Sequence, residues 1–247
     1  MMLMIQETIT HSCSRCGSPN IVRNGHNKCG NQQYYCKDCG ARRVLKPKQK
    51  HPARTRDQVL KAYRERMSLR GVERVFKVCR QTVMKWLQNY VQALPRLSET
   101  LLPARQDDVL ELDEAWSFVA KKSEKRWLWT AICRRTGQLV AFIIGDRSEA
   151  TCRQLWQAIP ASYRHCQSFS DFWKAYAKVF PQETHQSVGK ETGETAHQER
   201  WYNTLRQWLG RYTRKTLSFS KLDFYHELVT HWFIIEHNLR MRSSLTT

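Results

Sequence analysis

Seven side chains of this 247-residue sequence have the types and spacing for metal-dependent chemistry. Cys13-Ser-Arg-Cys16 and Cys36-Lys-Asp-Cys39 are two CxxC pairs with 19 residues between Cys16 and Cys36. Each pair makes a tight turn that aims two sulfurs at one point, and two pairs at this spacing fit a tetrahedral four-thiolate Zn²⁺ site. The other three are Asp113, Asp171 and Glu199, separated by 58 and 28 residues. Hard carboxylate oxygens suit a pair of Mg²⁺ or Mn²⁺ ions about 3.5–4 Å apart, which activate one phosphodiester oxygen and stabilise the leaving one. An Asp on a central strand can bridge both ions, while a second Asp and a Glu each complete one side. Any one of these carboxylates alone reads best as a surface charge. Their joint placement on strands and a helix is what singles them out.

The elements that must position the acids can be traced by hydrophobic period. Residues 109–119 alternate as a strand, with Leu110, Leu112 and Asp113 near its middle. Residues 125–144 read as a hairpin turned by Arg134-Arg-Thr-Gly137. A helix over 146–158 puts Leu155, Trp156 and Ile159 inward and ends before Pro160. A short strand over 166–170 leads to Asp171, a helix covers 173–179, and 185–188 reads as a fifth strand. Helices over 195–212 and 219–240 follow. Three strands, helix, strand, helix, strand and a helical pair is the order of a ribonuclease H-like α/β domain. On a helical wheel at about 100° per residue, Asn203 and Arg206 fall within about 40° of Glu199, while Trp201, Tyr202, Leu205, Trp208, Leu209 and Tyr212 fall between roughly 180° and 300°. One face is therefore core and the other a polar Glu-Asn-Arg stripe. Glu191 and Glu194, in a Gly-containing loop, are poorer candidates. Glu114 alternates to the opposite strand face and reads as structural, and Trp116 and Trp127 read as core.

Charge divides the chain by task. The formal net charge is +19, and the first 107 residues, with 21 basic and 7 acidic side chains, hold most of it. That excess points to a polyanion, with nucleic acid first. Residues 41–56 are a basic, Pro-containing connector suited to phosphate contact. Asp57 can cap a helix carrying Val59, Leu60, Tyr63 and Met67. A further helix would bury Val72, Val75 and Phe76, and a turn near 77–79 leads to a second that buries Val83, Trp86, Leu87 and Tyr90. This is a helix-turn-helix pattern whose recognition helix offers Arg80, Gln81, Thr82 and Lys85 to DNA. Cys29, in the Gly-rich hairpin tip, is left out of the thiolate set. The scattered remaining cysteines do not form a disulfide framework. No run approaches the roughly 18 apolar residues of a membrane span, and the first ten residues do not read as a signal peptide. A cytoplasmic, nucleoid-associated protein is expected.

The segments LELDEAWSFVAKKSEKRWLW, SDFWKAY and HQERWYNTLRQWLGRYTRKTLSFSK resemble the three blocks of an insertion sequence one family transposase, and the amino-terminal part resembles the DNA-binding product encoded upstream in such elements. The resemblance implies an α+β multi-domain chain. It divides into a zinc ribbon at 1–48, a helix-turn-helix at 55–93, a linker at 94–108 and a ribonuclease H-like catalytic domain at 109–247. It carries a DDE triad onto Asp113, Asp171 and Glu199, with Arg200, Asn203 and Arg206 as DNA-contacting or carboxylate-orienting neighbours. The activity implied is metal-dependent 3′-end cleavage at terminal inverted repeats and strand transfer into target DNA, by a homo-oligomer on paired ends. Many members encode the two halves in separate frames, whereas here they are continuous. A DNA-binding repressor from a decayed element, and a site-specific nuclease or resolvase on the same fold, are the alternatives.

Overall fold

A computed structural model describes residues 9–27, 30–45, 51–213 and 215–246, in two compact units spanning Met1–Ala53 and Arg54–Thr247. Cys29, Arg214 and part of the 41–56 connector lie outside the described residues.

The first unit is a three-stranded antiparallel sheet in the order β1 (Ile21–His26), β2 (Gln32–Cys36), β3 (Arg42–Arg43). Its small core is made of Cys13, Cys36 and Ala41, with Ile21 and Cys39 packed beside them. So little apolar surface cannot by itself offset the entropy of ordering the chain, and a unit this small needs a covalent or metal staple.

The second unit opens with α1 (Ala53–Arg64), α2 (Leu69–Phe76) and α3 (Arg80–Gln92). Val59, Val72, Val78 and Val83 form their buried centre. Ser68 caps α2 by accepting from the Gly71 N–H, and Lys77 takes the left-handed conformation (φ 56°) that ends it and turns the chain into α3. Two expectations fail here. α1 begins at Ala53, so Asp57 lies inside the helix and does not cap it. Val75 is 62% exposed because Val72 and Phe76, one turn apart, take the inward face of this short helix, and Val78 joins the same core after the chain turns at Lys77. Tyr90 is also partly exposed, its ring edge-on to Trp232 at 5.6 Å and its hydroxyl donating to Glu236 at 3.0 Å.

A five-stranded mixed sheet follows, in the order β6-β5-β4-β7-β8. The strands are β4 (Val109–Phe118), β5 (Lys125–Cys133), β6 (Leu139–Gly145), β7 (Gln167–Ser170) and β8 (His185–Ser187). The β4-β5 and β5-β6 pairs are antiparallel, and β7 joins β4 in parallel with β8 beyond it. One face carries α5 (Glu149–Ala158) and α6 (Lys174–Val179) over a core that includes Leu110, Leu112, Trp129, Leu155 and Tyr176. The other face carries α7 (Ala196–Trp208) and α8 (Asp223–Thr246) over Ala115, Leu128 and Leu139, together with Leu60, Leu87 and Val91 of the first three helices. The expected helix over 195–212 thus stops at Trp208, and Gly210–Tyr212 is a single 3₁₀ turn. Residues 94–108, expected as a linker, hold the short helix α4 (Leu97–Thr100). They are tied to the sheet: Gln138 bonds the Thr100 carbonyl and the Leu102 N–H, and Arg135 grips the buried Asp108 at 2.5 Å.

Candidate functional site

The two CxxC turns have the same local construction. Gly17 N–H donates to the Cys13 carbonyl at 2.8 Å and Gly40 N–H to that of Cys36 at 2.9 Å, each with the glycine at positive φ (76° and 69°). A left-handed residue is needed at each point, and glycine adopts it without steric cost. Asp38 ties the second turn to the first by accepting from Ser18 and, at 2.8 Å, from Asn20. The sulfurs of Cys13 and Cys39 lie 3.7 Å apart and those of Cys16 and Cys36 3.6 Å apart, with all four within 4.8 Å of one another. Four thiolates about 2.3 Å from one ion sit at tetrahedron corners about 3.8 Å apart, so the spacing fits Zn²⁺. The Arg15 and Cys16 N–H groups hold the Cys13 thiol down to about 6. Cys16 is pushed up to about 12 although the Ser18 N–H opposes this, because neighbouring sulfurs and partial burial disfavour a second negative charge. Four thiols this close ionise together only around a cation.

The sheet sets two of the three acids side by side. In the parallel β4-β7 pair Glu111 lies opposite Phe169, so two residues further on Asp113 stands level with Asp171, where the chain leaves β7. Adjacent strands are about 4.8 Å apart. Leu110 and Leu112 belong to the face covered by α5 and α6, so Glu111 and Asp113 face α7. Glu111, fully buried, accepts from the Gln198 N–H at 3.0 Å and from His197 Nδ1 at 2.8 Å, which pins the start of α7 on β4. One turn later the Tyr202 hydroxyl donates to the Asp113 carbonyl at 2.9 Å. Trp201 meets Phe233 of α8, and Glu199 lies about 200° around the helix from it, on the side away from α8. Asn203 and Arg206 share that side: Arg206 donates to Asn203 Oδ1 at 3.3 Å and lies over the Tyr202 ring at 5.8 Å.

Asp113 and Asp171 are half-buried and Glu199 is exposed. The Asp171 carboxylate accepts from the Trp173 N–H at 3.0 Å, which opens the turn into α6. The three carboxylates do not close on one point: among the described residues the four cysteines are the one group of three or more ligating side chains within 4.8 Å of one another. Of the other residues singled out from the sequence, Arg80, Gln81 and Lys85 are exposed at the start of α3. Arg80 pairs with Glu73 at 3.0 Å, and the half-buried Thr82 hydroxyl lies 3.0 Å from Cys79 Sγ. Arg200 is exposed on α7.

Sequence reasoning missed three supports of this site. Glu111, two residues before Asp113 on the same strand face, also pairs with Arg134 at 2.9 Å, and period-2 alternation was a signal for it. Tyr202 was assigned to the core by its apolar ring, but its hydroxyl holds strand β4. Arg147, from the loop after β6, pairs with buried Glu114 at 2.5 Å and lies over the Trp127 and Trp173 rings at 4.6 and 4.0 Å. Burial, and next the charge of Asp171, push the Glu114 carboxyl above its usual range. Glu114 is structural as expected, and it places Asp171 within electrostatic reach. Trp116 and Trp127 are partly buried.

A family model described as IS1 transposase matches residues 109–240, which include all three acids. The insertion element iso-IS1n protein InsB of Shigella dysenteriae is 38% identical over 129 residues, covering 52% of this chain and 95% of that protein. The insertion element IS1 protein InsB of Shigella flexneri is 33% identical over 128 residues, covering 51% of this chain and 95% of that protein. Among the described residues no helix is long and apolar enough to cross a membrane. With more than half of its length inside the family model, the chain belongs to the IS1 transposase family.

Proposed function

We propose that this chain binds the terminal inverted repeats of its element, frees a 3′-hydroxyl at each end and joins it to target DNA. The observation that carries this reading is the parallel β4-β7 pair, which sets Asp113 level with Asp171 on the sheet face crossed by α7 and its Glu199 stripe. The strand order β6-β5-β4-β7-β8, with β4 central and antiparallel to β5 but parallel to β7, supports a ribonuclease H-like fold for this part of the chain.

Asp113, Asp171 and Glu199 offer only hard oxygens, the donor set that Mg²⁺ or Mn²⁺ takes. They would hold a pair of such ions, as phosphodiester chemistry on two metals requires. When bound, such ions stabilise charge on the attacking and leaving oxygens of the phosphodiester. The chain's own share is orientation. Glu111 and Tyr202 fix α7 on β4, and Arg206, held by the Tyr202 ring and Asn203, keeps a positive charge beside the stripe where phosphate would lie.

In the first unit, Cys13, Cys16, Cys36 and Cys39 would hold one structural Zn²⁺ as a zinc ribbon. Helices α1–α3 act as a helix-turn-helix, with Arg80, Gln81, Thr82 and Lys85 of α3 and Arg200, Asn203 and Arg206 of α7 meeting DNA. We place the four parts at 1–48, 55–93, 94–108 and 109–247, and the active form as a homo-oligomer on paired ends at the nucleoid. The test is end cleavage on a plasmid carrying the element. Asp113→Ala, Asp171→Ala or Glu199→Ala should each abolish nicking and joining while leaving end binding intact, and a fully active Asp113→Ala chain refutes the assignment. Nicked but never joined products would instead support a nuclease.

A further inference from the structure

The segment Leu217-Ser-Phe-Ser-Lys221 lies between α7 and α8. Its root is fixed. Ser220 bridges to Val119 and its carbonyl accepts from the Ala120 N–H at 2.8 Å, while the Phe219 ring packs on Phe118 at 5.1 Å. Two residues before that anchor Leu217 is 96% exposed, the most exposed large apolar side chain among the described residues.

Leu217 and Phe219 line two recesses at once. One, of about 600 Å³, lies between the turn after α1 and the end of α7, and its cations include Arg64, Arg66, Arg70, Arg80 and Lys221. Arg64 is paired with Glu236 and Arg80 with Glu73, whereas Arg66 and Arg70 make no ion pair among the described residues. Lys221 sits 3.9 Å above the Phe219 ring, which orients its charge without cancelling it. The second recess, of about 550 Å³, carries Lys121, Lys122 and Lys215; Lys121 lies 3.7 Å from Glu124 in an exposed pair, and Lys122 makes no ion pair among the described residues. An exposed leucine therefore stands on a ridge with concentrated positive charge on both sides. Recesses of this size suit small ligands, not a whole duplex. A nucleic-acid strand can lay phosphates on either side of such a ridge while an apolar side chain enters between its bases, as apolar wedges do in proteins that kink DNA.

We propose that Leu217 is a wedge that unstacks one base step of DNA near an element end, with the flanking phosphates held by Arg66 and Arg70 on one side and Lys121 and Lys122 on the other. The cations that line both recesses favour a polyanion, DNA, as the occupant. The ridge lies six residues along β4 from Asp113, roughly 20 Å away, so one DNA molecule can reach both. The inference rests on the transposase reading for the identity of the DNA and not on the catalytic acids.

The experiment uses the full chain without divalent metal and a blunt duplex of the element's terminus, carrying 2-aminopurine at one outer base step at a time. The wild-type chain should raise fluorescence at one step and bind a duplex mismatched at that step at least about tenfold more tightly than the paired one, because opening a step costs a few kcal/mol. Leu217→Ser, at a site too exposed to affect folding, should lose the fluorescence rise and bind both duplexes equally. Arg66→Ala with Arg70→Ala, and Lys121→Ala with Lys122→Ala, should each lower the slope of log K against log salt by about 2. No rise with the wild type, an unchanged rise with Leu217→Ser, or a change only in oligomeric mass overturns the wedge. Opening of random and terminal duplexes alike overturns end recognition and leaves the wedge standing.

Discussion

Glu111→Gln removes a charge and almost nothing else, and it tests how α7 is held against the strand that carries Asp113. The fully buried carboxylate accepts from Arg134 Nε at 2.9 Å, His197 Nδ1 at 2.8 Å and the Gln198 N–H at 3.0 Å. One oxygen serves Arg134 and His197 and the other serves Gln198. Glutamine can keep the first, at a loss of about 1 kcal/mol for each charge-assisted bond made neutral. Its NH₂ then faces the Gln198 N–H, and an unpaired buried donor costs about 1–3 kcal/mol. Arg134 keeps Glu194 at 2.6 Å, so no orphan charge is added. The sum is about 3–5 kcal/mol, which at an m-value of about 2–3 kcal/mol/M lowers the urea midpoint by about 1–2.5 M. End cleavage should fall along with stability, since the start of α7 carries Glu199. An unchanged midpoint would refute the anchoring, and lost stability with full cleavage would show that the site does not depend on it.

Four further outcomes follow. Purified chain should hold about one zinc, measured by mass spectrometry, and Cys36→Ser should lose it. Gly40→Ala has open space around the new Cβ but keeps φ at 69°, so it should weaken zinc affinity about five- to thirtyfold through backbone strain of about 1–2 kcal/mol. Burial pushes His185 and His226 down to about 4, so the unfolded chain, with histidines near 6.5, binds more protons between those values. Stability should then be full above about pH 6.5 and fall as pH drops toward 4, with His226→Gln flattening that slope in urea titrations. On α3, Gln81→Ala should cost about 1–3 kcal/mol of end binding and relax base preference, and Thr82→Ala, which removes a half-buried hydroxyl 3.0 Å from Cys79 Sγ, should weaken end binding by less in the same assay.

The sheet strands were legible because alternation and apolar runs report a half-buried surface directly, and β4, the β5-β6 hairpin and β7 lie where the pattern put them. The thiolate group was legible because CxxC spacing alone nearly dictates its geometry. Val75 was misread since helical period admits both Val75 and Phe76 to the stripe, whereas in this short helix Val72 and Phe76 take the inward face. The packing of 94–108 was hidden because Gln138, Arg135 and Asp108 secure it through polar contacts that no hydrophobic period records. Tyr202 and Arg147 escaped for a related reason: one hydroxyl and one guanidinium act across elements more than 30 residues apart in sequence.

If Asp113 holds a hard metal ion at the point of DNA cleavage, Asp113→Cys should change which metal supports cutting. A thiolate is a poor ligand for Mg²⁺ and a better one for softer Mn²⁺. With the element end as substrate, the variant should be inactive in Mg²⁺ and regain cleavage in Mn²⁺, while the unsubstituted chain cuts in both. Equal activity of the variant in the two metals, or full activity in Mg²⁺, would contradict the claim.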